Sequence, residues 1–192
     1  MSRPAAFIDR DGVLNEERAF VHRSEDFVFL PRVIEALRAL QAAGYLLVII
    51  TNQSGIARGL YSEAEYLALT AQVSERLQAA GVRLDAVEHC PHLPDAPLER
   101  YRLDCDCRKP KPGMLKRAIA ALDIDPAASF LAGDRLSDLE AGRAAGVPRC
   151  FLVRTGNPLP AEAVARADAV YDDLLACVRS VLSPLPLRGA RT

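Results

Sequence analysis

The sequence predicts an α/β domain, a doubly wound parallel sheet held between two helical layers. Three observations predict it. Short apolar runs recur along the chain. One of them, residues 46–50, is apolar at every position, as a central parallel strand covered on both faces should be. Stretches of helical period separate the runs, so consecutive strands should be joined by right-handed helical crossovers.

The elements follow in order. Residues 5–8 form the first apolar run, and the second is 46–50. Weaker strand candidates lie at 87–90, 130–132 and 151–153. Val33, Leu37 and Leu40 recur at helical spacing, with Pro31 near the start and Gly44 just past the end. Ser62 with Glu65 three residues on makes a capping box. It opens a helix whose Tyr66, Leu69, Val73, Leu77 and Ala80 share a face, and Gly81 ends it. Leu115, Ala118, Ile119 and Leu122 mark a third helix, and residues 139–145 a fourth, closed by Gly146.

The chain has 192 residues, 24 Lys+Arg against 25 Asp+Glu, five cysteines and 50% hydrophobic residues. That length fits a single domain over residues 1–182, with a loose Pro- and Arg-rich tail at 183–192. The composition excludes disordered and collagen-like classes. A net charge of −1 supplies no global field for a nucleic acid or an anionic membrane. No apolar stretch approaches the roughly 20 residues that span a bilayer, and the N-terminal run is too short for a signal peptide. A monomer in a reducing cytoplasm is expected, where cysteines point to metal, catalysis or packing before disulfides.

In an open parallel sheet, ligands bind beyond the carboxyl ends of the strands. The first run ends in FIDRDGVLN, with Asp9 and Asp11 at its tip. The second ends in VIITNQSG, with Thr51 and Asn52. The strand at 130–132 ends in FLAGDRLSD, with Gly133 and Asp134, and CRKPKPG brings Arg108 and Lys109 after an irregular stretch. Carboxylates from separate strand ends suit Mg²⁺, which takes one or two carboxylates with waters and phosphate oxygens. Two acids at i and i+2 can divide nucleophilic and proton-transfer work. A lysine and a threonine hydroxyl at the same place would stabilise charge on a transferring phosphoryl group. Any one of these motifs is an ordinary turn or cap signal. Their joint occurrence, in order and each at a strand end, points to phosphoryl transfer to water.

These segments resemble the four motifs of the haloacid-dehalogenase-like phosphohydrolases. FIDRDGVLN, TNQSGIARG, CPH, CDCRKPKPGML, GDRLSD and FLVRTG are similar in particular to its sugar-bisphosphate phosphatases, and the likeness covers about residues 5–156. The histidinol-phosphate phosphatase domain is the second reading, through Arg135 and CPHLP. The resemblance implies Asp9 as nucleophile and Asp11 as general acid and base, with Thr51 and Lys109 steadying the phosphoryl oxygens. It implies Mg²⁺ on Asp9, the backbone carbonyl of Asp11, and Asp134, with Asp138 supporting from behind. Asn52, Gln53, Ser54, Arg108 and Arg135 would contact a small phosphosugar, and Glu17, Arg18, Ala19 and Phe20 would face the sugar.

Residues 91–113 hold five prolines among charges and no apolar period. A loop that long is usually functional or tied down. Cys90 and His92 stand two apart, as do Cys105 and Cys107, a complete tetrahedral set for structural Zn²⁺ in a zinc loop over 90–107. In the alternative, Cys90 merely ends a buried strand and the others are surface thiols. That leaves the paired spacing unexplained. The family resemblance also implies this zinc. Cys150 and Cys177 read as core thiols, His89 as an outward strand residue, and His22 as solvated. Arg58 and Lys111 stand equally as members of a basic patch or as solvated side chains. Residues 14–30 are too few for a cap domain, so loops 14–30, 54–61 and 91–108 should cover the site.

Overall fold

The computed structural model describes residues 2–183. Apart from Ser183, the tail expected to be loose lies outside the described residues. Six strands form one fully parallel sheet in the order β3-β2-β1-β4-β5-β6. They are β1 (Ala5–Ile8), β2 (Leu46–Asn52), β3 (Ala86–Cys90), β4 (Phe130–Gly133), β5 (Arg149–Val153) and β6 (Ala169–Tyr171). The helices are α1 (Val33–Ala42), α2 (Ser54–Ala57), α3 (Glu63–Ala79), α4 (Gly113–Leu122), α5 (Leu136–Ala144), α6 (Ala161–Arg166) and α7 (Leu174–Leu182).

The period of two in the central strands builds the layers. Ala6, Ile8, Leu47, Ile49, Phe130 and Ala132 face a core completed by Leu37 and Leu40 of α1, Leu69 and Val73 of α3, and Leu174 and Val178 of α7. Their chain neighbours Phe7, Val48, Ile50 and Leu131 face the other way, onto Met114 and Leu115 of α4 and Leu139 of α5. Burying each of these large side chains contributes about 1.5–3 kcal/mol. The three-layer fold expected from the sequence is therefore present, and no cap domain is inserted among the described residues.

The expected caps are also present. Ser62 Oγ accepts from the Glu65 N–H while the Glu65 carboxylate accepts from the Ser62 N–H. Gly44, Gly81 and Gly146 take the positive φ that stops each preceding helix. Four elements are additional to the sequence reading. Strand β6 has only three half-buried residues at the sheet edge, too few to show a period, with α6 before it and α7 after it. Segment 54–61, expected as a loop, begins with the single turn α2.

The strand order reverses beside β1, where β2 pairs on one side and β4 on the other. The carboxyl ends of β1, β2 and β4 meet there, and a crevice at that reversal is where such sheets bind ligands. No described helix is long and apolar enough to cross a membrane.

Candidate active site

Asp9 leaves the end of β1 buried, 7% exposed. Its Oδ1 accepts from the Arg10 N–H at 2.7 Å and lies 2.9 Å from Lys109 Nζ. Both contacts fall on one oxygen. Burial raises the Asp9 pKa well above the ordinary carboxylate range, with Asp138 and Asp134 adding to the rise and Lys109 opposing it. Asp11, two residues on, is turned onto other partners. Arg10 grips both its oxygens (Nε to Oδ2 at 3.0 Å, Nη2 to Oδ1 at 2.9 Å), Asn15 donates to Oδ1 and Gln53 to Oδ2. The Arg10 guanidinium is itself buried between the Phe27 and Tyr66 rings. The i, i+2 spacing thus gives two carboxylates different surroundings, one beside a lysine and one caged by neutral and cationic donors.

The end of β2 supplies a second wall. Thr51 is buried, and its Oγ1 accepts from Gln53 Nε2 at 2.8 Å. Gln53 and Asn52, both expected to contact substrate, line the cleft and are also bound within the protein. The Gln53 amide is buried and fully engaged, donating to Asp11 and Thr51 while its Oε1 accepts from the Tyr61 hydroxyl at 2.6 Å. Asn52 holds the backbone of Lys109 through both of its amide atoms. Ser54 begins α2 and lines the cleft.

Lys109 is 4% exposed and lies 2.6 Å from Asp138 Oδ1, besides its contact with Asp9. Burial works against its ammonium, but Asp138 and Asp9 outweigh that and hold its pKa above the ordinary range. Asp138 Oδ2 accepts from the backbone N–H groups of Asp134 and Arg135, fixing the first turn of α5. Asp9, Asp134 and Asp138 bring carboxylate oxygens within 4.8 Å of one another, all buried. Asp134 Oδ1 is buried without a hydrogen-bond partner. An orphaned anionic oxygen among carboxylates fits a hard divalent cation such as Mg²⁺, which would offset the charge that burial makes costly there.

A cleft of about 880 Å³ opens over this cluster. Its walls carry Glu17, Arg18, Ala19, Phe20, Arg58, Arg108 and Arg135, which includes every residue of the first loop expected to face substrate. Ala19 and Phe20 both take positive φ, 52° and 58°, a turn that L-residues rarely adopt. It leaves the Phe20 ring exposed on the cleft wall. Arg58 joins the basic lining. Lys111 does not, because its ammonium pairs with Asp104 at 2.6 Å. His22, expected to be solvated, is half-buried and stacks on Tyr61 at 4.8 Å. Arg10, Asn15, Tyr61 and Asn157 complete the site: Arg10 and Asn15 lie within FIDRDGVLN, but nothing there marks them as partners of Asp11, and Tyr61 and Asn157 lie outside any motif.

Cys90, His92, Cys105 and Cys107 form the second cluster. Cys107 Sγ lies 3.0 Å from Cys90 Sγ, 3.1 Å from Cys105 Sγ and 3.4 Å from His92 Nδ1. Hydrogen bonds shared with Cys90, then Cys105 and His92, push the Cys107 thiol down to about 5, and the same contact with Cys107 pushes the Cys90 thiol up. Three soft sulfurs and one imidazole nitrogen fit structural zinc. The cluster adjoins the active site, because Cys90 pairs in register with Asn52 and Arg108–Lys109 follows Cys107 directly. His89 lies outside it, 3.1 Å from Glu63 and against the Tyr66 ring. Cys150 and Cys177 are buried core thiols, each pushed up to about 12 by burial.

A parallel sheet with a carboxylate pair after β1, a hydroxyl after β2, a buried lysine and acids after β4 defines a haloacid-dehalogenase-like hydrolase. The HAD-hydrolase-like family model matches residues 106–177. The chain is 47% identical over 171 residues to the D-glycero-beta-D-manno-heptose-1,7-bisphosphate 7-phosphatase of Photorhabdus laumondii, covering 89% of this chain and 91% of the relative. It is 47% identical to that of Escherichia coli K12, covering 90% and 91%. The D,D-heptose 1,7-bisphosphate phosphatase of B. bronchiseptica, solved with magnesium and phosphate, superposes with a TM-score of 0.80 at 35% identity, covering 93% and 98%. The chain belongs to this heptose bisphosphate phosphatase family of HAD-like hydrolases.

Proposed function

We propose that this protein is a Mg²⁺-dependent phosphatase that removes the C7 phosphate of D-glycero-β-D-manno-heptose 1,7-bisphosphate, releasing heptose 1-phosphate and inorganic phosphate. The observation that carries the reading is the Asp9, Lys109 and Asp138 cluster at the floor of a basic-walled cleft, with Asp134 buried beside it. The names of the relatives support the substrate and its β anomer.

Asp9 attacks phosphorus, forming an O–P bond as the bond from phosphorus to the sugar oxygen breaks. Asp11 gives its proton to that departing oxygen. In the second half, Asp11 takes a proton from water as it attacks the aspartyl-phosphate, which returns Asp9 and releases phosphate. Lys109 and Thr51 hold the phosphoryl oxygens throughout. Mg²⁺, when bound by Asp9, the Asp11 carbonyl and Asp134, supplies charge neutralisation for the phosphoryl group. Glu17, Arg18, Ala19 and Phe20 face the sugar, and Arg58, Arg108 and Arg135 give the second phosphate its cationic surroundings. Four protein ligands leave the zinc no open position, so its role is to fix the loop that presents Arg108 and Lys109. The protein works as a single-domain cytoplasmic monomer on a small molecule. Its product supplies nucleotide-activated heptose for lipopolysaccharide core or a surface glycan.

The test is kcat/KM for both anomers of heptose 1,7-bisphosphate and for histidinol phosphate. A clear preference for the β-bisphosphate is expected. A preference for histidinol phosphate overturns the substrate assignment in favour of the second reading, which rests on Arg135 and CPHLP.

A further inference from the structure

The turn after β5 wraps around Asp134. The Asn157 backbone N–H donates to Asp134 Oδ2 at 2.8 Å, and Asn157 Nδ2 donates to the same oxygen at 2.6 Å. The approach is close enough that a Cβ on Gly156 would lie 2.1 Å from Oδ2, and one on Gly12 2.6 Å. The Thr155 hydroxyl ties the turn down by donating to the Gly12 carbonyl at 2.7 Å. All of this converges on Oδ2. The other oxygen, Oδ1, is buried and has no hydrogen-bond partner.

A carboxylate held at one oxygen by two donors cannot rotate freely, and its second oxygen is then presented in a fixed place. An amide suits the task because it donates without adding charge beside three buried carboxylates. Groups that orient a ligating carboxylate in this way typically change metal affinity by about 10–100-fold when removed. We infer that Asn157 is a positioning residue for the metal site, pinning Asp134 so that Oδ1 is offered to the divalent cation. The inference rests on the reading of Asp134 as a cation ligand.

The test is Mn²⁺ binding to the zinc-loaded full chain, followed by the paramagnetic signal of free Mn²⁺ and by competition with Mg²⁺. Asn157→Leu keeps the branched shape and removes the side-chain donor, leaving the backbone N–H of residue 157 on Oδ2, and Asn157→Ala serves if the leucine variant does not fold. Either is expected to bind Mn²⁺ about tenfold more weakly. Zinc content should stay unchanged, and the Mn²⁺-free variant should remain folded. Wild-type Mn²⁺ affinity in the folded variant overturns the inference. Asp134→Asn separates the two levels. If it too binds Mn²⁺ as wild type does, the ligand assignment itself falls. If it loses Mn²⁺ while the Asn157 variants do not, only the role of Asn157 falls.

Discussion

Asn52 clamps the backbone of Lys109 from both sides. Its Nδ2 donates to the Lys109 carbonyl at 3.1 Å, and its Oδ1 accepts the Lys109 N–H at 3.1 Å. The clamp joins the tip of β2 to the end of the zinc loop, and it sets the height at which the Lys109 ammonium enters the carboxylate cluster. Replacing Asn52 by alanine removes both bonds, each worth about 0.5–1.5 kcal/mol. A small displacement of a charge stabiliser is costly for catalysis, so kcat/KM should fall by roughly 10–10²-fold. Asn52→Asp retains the acceptor but sets a carboxylate oxygen against the Lys109 carbonyl, and should fall by a similar amount. Wild-type kinetics in Asn52→Ala would show that the clamp does not position the lysine.

Zinc should be separable from the chemistry. Cys107→Ala removes the sulfur that approaches all three other ligands. Elemental analysis is expected to find one zinc per wild-type chain and none in the variant. Because Lys109 sits two residues beyond Cys107, kcat/KM should drop while Asp9 can still be phosphorylated in a single turnover. Full steady-state activity in the zinc-free variant would refute the loop-fixing role.

The sheet and the polar residues at its strand tips could be read from sequence because they obey local rules. Parallel strands buried on both faces show as runs such as residues 46–50, and polar residues directly after them must stand at the carboxyl edge. The zinc set was visible because metal ligands come with fixed spacing and residue type. The rest depends on contacts across the fold. Arg10 looks like the variable residue between two aspartates, yet it is the main partner of Asp11. Tyr61 looks like a loop aromatic, and only its approach to Gly55, where a Cβ would lie 2.2 Å from the ring, brings its hydroxyl to Gln53. Strand β6 offers three residues at an edge, below the length at which alternation can be seen.

Asp9 and Lys109 should fail differently when replaced. Asp9→Asn removes the attacking oxygen's charge, and kcat/KM is expected to fall by roughly 10⁴-fold or more. Retained turnover would sink the nucleophile assignment. Lys109→Met should lower kcat/KM by about 10²–10³-fold. It should also lower stability, because Asp9 and Asp138 lose the cation buried between them, an effect on the order of a few kcal/mol. A divalent cation can replace part of that lost charge. The Lys109→Met variant should therefore gain more in melting temperature from added Mg²⁺ than the wild type does, and an equal gain would argue against electrostatic compensation.

The Tyr61–Gln53 pair predicts a leaving-group effect. With the Tyr61 hydroxyl donating to Gln53 Oε1, the amide must turn its N–H₂ toward Asp11 and Thr51. Burial holds the Tyr61 pKa above its ordinary value, so the hydroxyl remains a donor across the working pH range. Gln53→Leu removes one of the four side-chain hydrogen bonds that hold Asp11 and leaves its Oδ2 to Arg10 alone, loosening the acid at that oxygen. A sugar alkoxide cannot depart without a proton, whereas an aryl oxide can leave as the anion. For the phosphosugar, kcat/KM should fall by about 10²-fold, the lower end of what a placed general acid contributes. For an aryl phosphate the loss should be about threefold, reflecting Thr51, whose hydroxyl serves both substrates alike. Equal losses for the two substrates would mean that Gln53 acts on the phosphoryl site and not through Asp11.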